Sequence, residues 1–274
     1  MKRLLLMEGS SLPALERAEQ LGHETTAQVY ARALLAENPS LDIDVLYGAL
    51  EGGVPPQQLD WYDGFVISGS ALHAYDDLPE VTRQIDWVQQ VADQGLPIFG
   101  SCWGLQICAV AGGGVVERSI AHAEMGIARK IVATEAGRDH PLLADRPATF
   151  DAPCIHYDHV AQLPKGSVLL ATNARCRVQA ALIPIGKSLA WGVQYHPEFD
   201  LPHLAEIYEG YGDEMVGTGF FESRAALDDH IADLRKADSA MPDDPVAWRL
   251  GIDADILDGP TRRTELRNWL RHLG

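Results

Sequence analysis

Cys102 closes an apolar run, Leu96-Pro97-Ile98-Phe99, inside the stretch FGSCWGLQ at residues 99–106. Small residues flank it, and Leu105-Gln106-Ile107-Cys108-Ala109-Val110-Ala111 follows with helical character. A thiol at a strand-to-helix junction has two readings. Cysteine is among the most buried residue types, so it can be inert packing. At a helix N-terminus, however, free N–H groups and the helix dipole favour a thiolate. The Gly-Ser-Cys-Trp-Gly setting also has the form of a nucleophile elbow. A cysteine nucleophile needs a base, and the base needs an orienting group. GVQYHPEF at 192–199 supplies both types, His196 and Glu198. An extended backbone there turns the two side chains to one side. The carboxylate then fixes the imidazole tautomer while the other ring nitrogen faces the thiol. Taken singly, each stretch also reads as ordinary packing or loop.

The elements that must bring these residues together are legible as short apolar runs bounded by turn residues. Strands are expected at Arg3 to Met7, Asp42 to Leu46, Gly64 to Ser68, Pro97 to Gly100, Ile127 to Val132, Val168 to Ala171 and Leu189 to Gln194. Helical patterns lie between several of them. One runs from Ala27 to Glu37; another places Val81, Ile85, Val88 and Val91 at three- and four-residue spacing and stops at Gly95, a C-cap residue type. Alternating strand and helix predict a mostly parallel sheet covered by helices. Ligands then sit outside the carboxyl ends of the strands, where Cys102 falls. From Asp200 onward the pattern is helical and acidic, and Leu266, Trp269, Leu270 and Leu273 share one face of a closing helix.

Composition narrows the function classes. With 274 residues, 46% of them apolar, and a formal charge of −17, the chain supports a sizeable core and an acidic surface. Such a surface repels nucleic acid and anionic membranes. The opening MKRLLLMEGS is too short and too interrupted for a signal-peptide core, and no run is long enough for a membrane span. Four cysteines with no C-x-x-C pair suit reduced thiols, so a cytoplasmic location is expected.

In their order along the chain, these motifs resemble the class I glutamine amidotransferase family. GSCWGLQ is similar to its G-x-C-x-G-x-Q signature, and YHPEF to its terminal H-P-E. GFVISGS at 64–70 resembles the strand and glycine turn on the oxyanion side of the family pocket. IHYDHV at 155–160 resembles the S-H-x-D-x-V element of GMP-synthase-type members. The resemblance covers roughly residues 1–200 and implies a flavodoxin-like α/β domain there, leaving 201–274 as a helical appendage. It implies Cys102 as nucleophile, His196 as base and Glu198 as orienter. It assigns the oxyanion to backbone N–H groups of Trp103 and of Gly69 or Ser70. Gln106, His156, Tyr157 and Asp158 fall at positions around the amino-acid end of a glutamyl group. Departures from the family pattern are Ser101, commonly aliphatic, SGSA in place of S-G-G-P, and Tyr157, often glycine.

The implied chemistry is acyl transfer from a γ-glutamyl amide, with no cofactor and no metal. Three functions compete. One is a hydrolase of γ-glutamyl-amine conjugates or peptides, which is the preferred reading. The second is a glutaminase subunit passing ammonia to a separate synthase. The third is a non-catalytic regulatory module in the old pocket. The expected partner is a small γ-glutamyl amide, with a homo-oligomer left open. Trp103, Tyr157 and Tyr195 are candidates to line the amine side, Tyr195 being weighed against plain packing.

Other features read blandly. Cys108 is expected in the core. Cys154, His156, His159 and Cys176 have the residue types of a zinc site but no common zinc spacing. AGGG at 111–114 lacks the Lys-Ser/Thr of a phosphate loop. Trp61, Trp248 and Trp269 are expected in a core or seam.

Overall fold

Leu4, Leu5, Leu6 and Met7 are all buried, so the first strand is covered on both faces rather than one. That is why it reads as a continuous apolar run and not as an alternation. The computed structural model describes residues 1–52 and 58–274. The first half of the chain alternates between strand and helix: β1 (Arg3–Glu8), α1 (Leu12–Leu21), α2 (Thr26–Glu37), β2 (Asp42–Tyr47), β3 (Gly64–Ile67), α3 (Pro79–Gln94), β4 (Ile98–Ser101) and α4 (Trp103–Ala111). A strand-rich stretch follows: β5 (Val115–Arg118), β6 (Glu124–Ala133), the short α5 (Glu135–Arg138), β7 (Thr149–His156), β8 (Asp158–Gln162), β9 (Val168–Thr172), β10 (Ala180–Ile185) and β11 (Ser188–Val193). The remainder is helical: α6 (Leu201–Gly217), α7 (Arg224–Ala237), α8 (Pro245–Leu250), α9 (Ala254–Leu257), α10 (Gly259–Arg262) and α11 (Thr264–His272).

Nine strands form one mixed sheet in the order β2-β1-β3-β4-β11-β10-β9-β6-β7. The pairs from β2 to β11 are parallel. From β11 to β7 every pair is antiparallel. β5 and β8 make a separate two-stranded ribbon. The seven expected strands are present within two or three residues. β5, β7, β8 and β10 were not expected: β5 and β8 are short, and β7 and β10 carry Pro153 and Pro184. The β10–β11 hairpin is closed by Gly186 at φ +53, a conformation glycine adopts without strain.

Each face of the sheet is covered. Leu4, Leu6, Val66 and Phe99 pack beneath α2 and α11. Leu5, Met7, Phe65 and Ile98 pack beneath α3 and α4. The closing helix is thus part of the covering layer. Its Trp269 lies 5.7 Å from Phe99, ring centre to ring centre. Glu265 on the same helix makes a fully buried ion pair with Arg146 at 2.8 Å and accepts a hydrogen bond from the Tyr195 hydroxyl at 2.9 Å. Trp269 is buried as expected, but Trp61 and Trp248 are 59% and 67% exposed. Trp61 ends a single helical turn, and α8 is so short that it buries only Ala247. Among the described residues, no helix is long and apolar enough to cross a membrane.

Candidate active site

β4 ends at Ser101, and Cys102 takes a backbone of φ +49, ψ −100 before α4 begins at Trp103. A non-glycine residue rarely adopts a positive φ, and such strain concentrates at functional sites. The neighbouring glycines permit the bend. A Cβ on Gly100 would lie 2.6 Å from the Gly104 backbone, and one on Gly104 would lie 2.8 Å from the Ile67 carbonyl. The Cys102 side chain is 6% exposed, on the floor of a cavity of about 300 Å3. Its sulfur accepts a hydrogen bond from the Gln194 amide at 3.4 Å and faces the Ile155 carbonyl at 3.7 Å. The N–H of Trp103, at the first helical position, has no intrahelical partner by position.

β11 runs parallel to β4 and in register with it, Val193 opposite Ser101. The segment after β11 therefore arrives beside Cys102, and His196 lines the same cavity. The backbone there is not extended, as the sequence had suggested. The Phe199 N–H donates to the His196 carbonyl at 3.2 Å, closing a turn with Pro197 at its second position. Proline sets the φ that such a turn needs. The turn still joins the two side chains: His196 Nδ1 and Glu198 Oε1 are 2.7 Å apart. Ser101 Oγ donates to Glu198 Oε2 at 3.0 Å, leaving its oxygen 2.7 Å from the hydroxyl of the buried Tyr30. Burial and then the Glu198 charge push the Tyr30 phenol up, so it stays a donor. Tyr30 and Ser101 are partners that the sequence reading missed. Only the unusual Ser101 hinted at them.

Burial pulls the His196 imidazole down, but Glu198 and the nearby Cys102 sulfur outweigh it and raise the pKa to about 10. His196 Nε2 is buried with no hydrogen-bond partner, although the Cys102 sulfur is close enough that, as thiolate, it favours the imidazolium. The geometry therefore suits a proton donor at Nε2 beside a sulfur nucleophile, with Nδ1 committed to a carboxylate.

The other expected residues also gather here. Gly69, Ser70, Gln106, His156, Tyr157 and Asp158 line the cavity. Gln106 donates through Nε2 to the Asp158 carbonyl at 3.0 Å, so it braces the 156–158 backbone. The Asp158 carboxylate is 2.6 Å from His73 Nδ1. Tyr157 lies beneath the Arg118 guanidinium at 4.4 Å. The Trp103 side chain does not line the cavity. Its indole is buried below the elbow and donates to Gln84 Oε1 at 2.9 Å. Tyr195 is buried against Glu265, so its role is packing. The aromatic rings expected on the amine side thus reduce to Tyr157. Beyond it, the cavity is walled by α1 and α6, segments that carry no motif.

The cysteine and histidine set noted in the sequence does not assemble as a group. His156 instead meets Glu124 and Cys176, with ligand-type atoms within 4.8 Å of one another. These atoms hydrogen-bond within the protein. Glu124 accepts from Asn173 and Gln179 and lies 3.2 Å from His156 Nε2, while Cys176 faces the Val178 carbonyl at 3.6 Å. Burial pushes the Cys176 thiol up to about 12, away from the thiolate a metal would need. His159 stands apart, beside His122. Cys108 is buried in the core, where burial raises its thiol. All four cysteines are free.

Fold and site together define an α/β protein with a cysteine at a strand-to-helix elbow and a histidine–carboxylate pair beside it. The class-I glutamine amidotransferase family model matches residues 49–207, and this chain belongs to that family. It is 33% identical over 242 residues to a γ-glutamyl-L-1-hydroxyisopropylamide hydrolase of a Pseudomonas species, an alignment covering 86% of this chain and 81% of that protein. It is 30% identical over 167 residues to γ-glutamyl peptidase 3 of Arabidopsis thaliana, covering 60% of this chain and 66% of the relative. A crystal structure of a glutamine amidotransferase from Thermotoga maritima superposes with a TM-score of 0.70 at 19% identity, covering 99% of this chain and 97% of the other, a likeness of fold.

Proposed function

We propose that this chain hydrolyses the γ-glutamyl amide bond of a γ-glutamyl-amine conjugate or peptide through a γ-glutamyl thioester. Cys102 as thiolate attacks the γ-carbonyl, and the oxyanion forms against backbone N–H groups of Trp103 and of Gly69 or Ser70. His196, protonated, gives its Nε2 proton to the leaving nitrogen as the C–N bond breaks. The same nitrogen then takes a proton from water, whose oxygen attacks the thioester. Glutamate departs and the thiolate is restored. Glu198 holds the imidazole through Nδ1 in both halves. Gln106, His156, Tyr157 and Asp158 bound the glutamyl end. The observation that carries the reading is His196 between Glu198 and the strained Cys102, its pKa raised to about 10. The likeness to a γ-glutamyl amide hydrolase over most of both chains supports an organic amine, rather than ammonia, as the leaving group.

The test is a panel of γ-glutamyl amides, glutamine among them, assayed on the purified chain alone. The expected result is higher kcat/KM for an amide of an organic amine than for glutamine. Glutamine as best substrate, or no turnover until a synthase is added, would select the ammonia-supplying alternative.

A further inference from the structure

Helix α1 buries none of its ten residues. Its apolar side chains, Ala14, Leu15, Ala18 and Leu21, recur at helical spacing and face the cavity that holds Cys102. α6 faces the same cavity with a second stripe, His203, Ile207, Gly210, Tyr211 and Glu214, while its Leu204 and Tyr208 pack into the helical core behind. The two helices are latched together. The Arg17 guanidinium donates to the Gly210 carbonyl and lies 5.4 Å over the Tyr211 ring.

The direction of the leaving group connects these walls to the chemistry. The departing nitrogen must come within hydrogen-bond reach of His196 Nε2. The imidazole stacks on Phe199 at 3.8 Å, and Phe199 meets the His203 ring at 4.6 Å, where the α6 stripe begins. A substituent on that nitrogen therefore leads onto α6 and α1. Three of the carboxylates that line the cavity have basic partners, Glu24 with Arg32 at 2.9 Å, Glu214 with Arg118 at 3.7 Å and Asp158 with His73 at 2.6 Å, while Glu206 lies 3.3 Å from His203, whose pKa burial lowers. Most of what the two helices then offer a ligand is apolar: Ala14, Leu15, Ala18, Leu21, Ile207 and the Tyr211 ring.

We propose that α1 and α6 form the amine subsite, and that it takes an uncharged, apolar substituent, branched alkyl or aryl, on the leaving nitrogen. The proposal rests on the γ-glutamyl amide hydrolase reading above. Gly210 gives a direct probe. A Cβ there meets no heavy atom within 4 Å and lies on the cavity-facing stripe, so a larger side chain can start there without a clash and narrow the cleft. Leucine is also the better helix former.

The experiment measures kcat/KM for γ-glutamyl isopropylamide, γ-glutamyl anilide, the mono-γ-glutamyl amide of a diamine, and glutamine. The enzymes are the parent, Gly210→Leu and Ile207→Ala, each checked for folding by thermal unfolding. The ratio of isopropylamide or anilide to glutamine is expected to fall about tenfold or more in Gly210→Leu and in Ile207→Ala, as for a change of one or two methylene contacts. A fall in one folded variant supports the subsite even if the other does not fold. An unchanged ratio in the folded variants overturns the subsite and leaves the hydrolase reading standing. So does a parent enzyme that prefers the cationic diamine conjugate to the isopropylamide. A parent that prefers glutamine to every amide overturns the hydrolase reading, and the subsite with it.

Discussion

Cys102 and His196 on the floor of the cavity, with Ser101 and Glu198 buried just behind them, lie at the ends of adjacent parallel strands, each held by hydrogen bonds of 2.7–3.4 Å to another protein group. On its walls, α1 and α6 present alanine, leucine, isoleucine and tyrosine between a few polar ties, the Arg17 latch and the Glu206–His203 and Glu214–Arg118 contacts. The floor is fixed because β4 and β11 are paired in register and buried on both faces. The walls are helix faces from opposite ends of the domain, and their side chains are set by packing rather than by hydrogen bonds. In the proposed function, chemistry and specificity are carried by different kinds of structure. A floor defect is expected to cost rate on every substrate, and a wall change to redistribute rate among substrates.

The largest effect expected is from Cys102→Ala. Loss of a nucleophile of this type removes on the order of 10⁶ in kcat. The alanine fits the space, so the unfolding temperature should stay close to that of the parent. Activity above about one hundredth of the parent in a folded Cys102→Ala protein would exclude thioester chemistry, because no other group at the floor replaces the sulfur.

Glu198→Gln comes next, with a loss of roughly 10⁴ in kcat, as for an orienting carboxylate. It also carries a pH signature. The carboxylate is the main influence raising the His196 pKa to about 10, so its removal should move the alkaline limb of the rate profile to lower pH. Ser101→Ala keeps the charge and removes one donor to it, so it should fall between parent and Glu198→Gln. An unmoved alkaline limb in Glu198→Gln would separate the carboxylate from His196. The same elevation has a stability counterpart. A histidine whose folded pKa lies above its unfolded value near 6.5 stabilises the protein fully below that value. The contribution is lost as pH rises through about 10.

Glu265→Gln tests the floor from behind, through stability. It leaves Arg146 buried without its counter-ion and weakens the contact to Tyr195, the residue before His196. Breaking one side of a buried pair typically costs about 3–5 kcal/mol. Denaturant unfolding should show that loss, and removal of residues 261–274 should lower the unfolding temperature at least as much. A shift below about 1 kcal/mol would place the pair among contacts that contribute little.

Short motifs carried most of the floor. A cysteine between small residues at a strand-to-helix junction, and a late His-Pro-Glu, have few physical uses. Singly each reads as packing or loop; together and in order they resemble the family motifs, and that resemblance pointed to Cys102, His196 and Glu198 before any contact was known. Buried strands such as β1, β3 and β4 were equally legible, because a strand covered on both faces must be apolar throughout. The mode of joining was not legible. His196 and Glu198 meet through a turn, since Pro197 suits that turn as well as an extended chain. Ser101 gains its meaning only from Tyr30, some seventy residues earlier.

Tertiary structure alone decided the walls and the support. Leucine and alanine at helical spacing in α1 read the same whether they meet a core, a partner or a ligand, since the hydrophobic effect is not directional. Trp103 and Tyr195 were near the chemistry in sequence yet point into packing, because their neighbours offer Gln84 and Glu265 as hydrogen-bond partners. The C-terminal helices carried an amphipathic pattern that announced burial but not the surface that would cover it. The sequence by itself supplied the residue types proposed to react and their order along the chain. Which residues surround them was decided by the fold, because spatial neighbours far apart in the chain leave no local pattern to read.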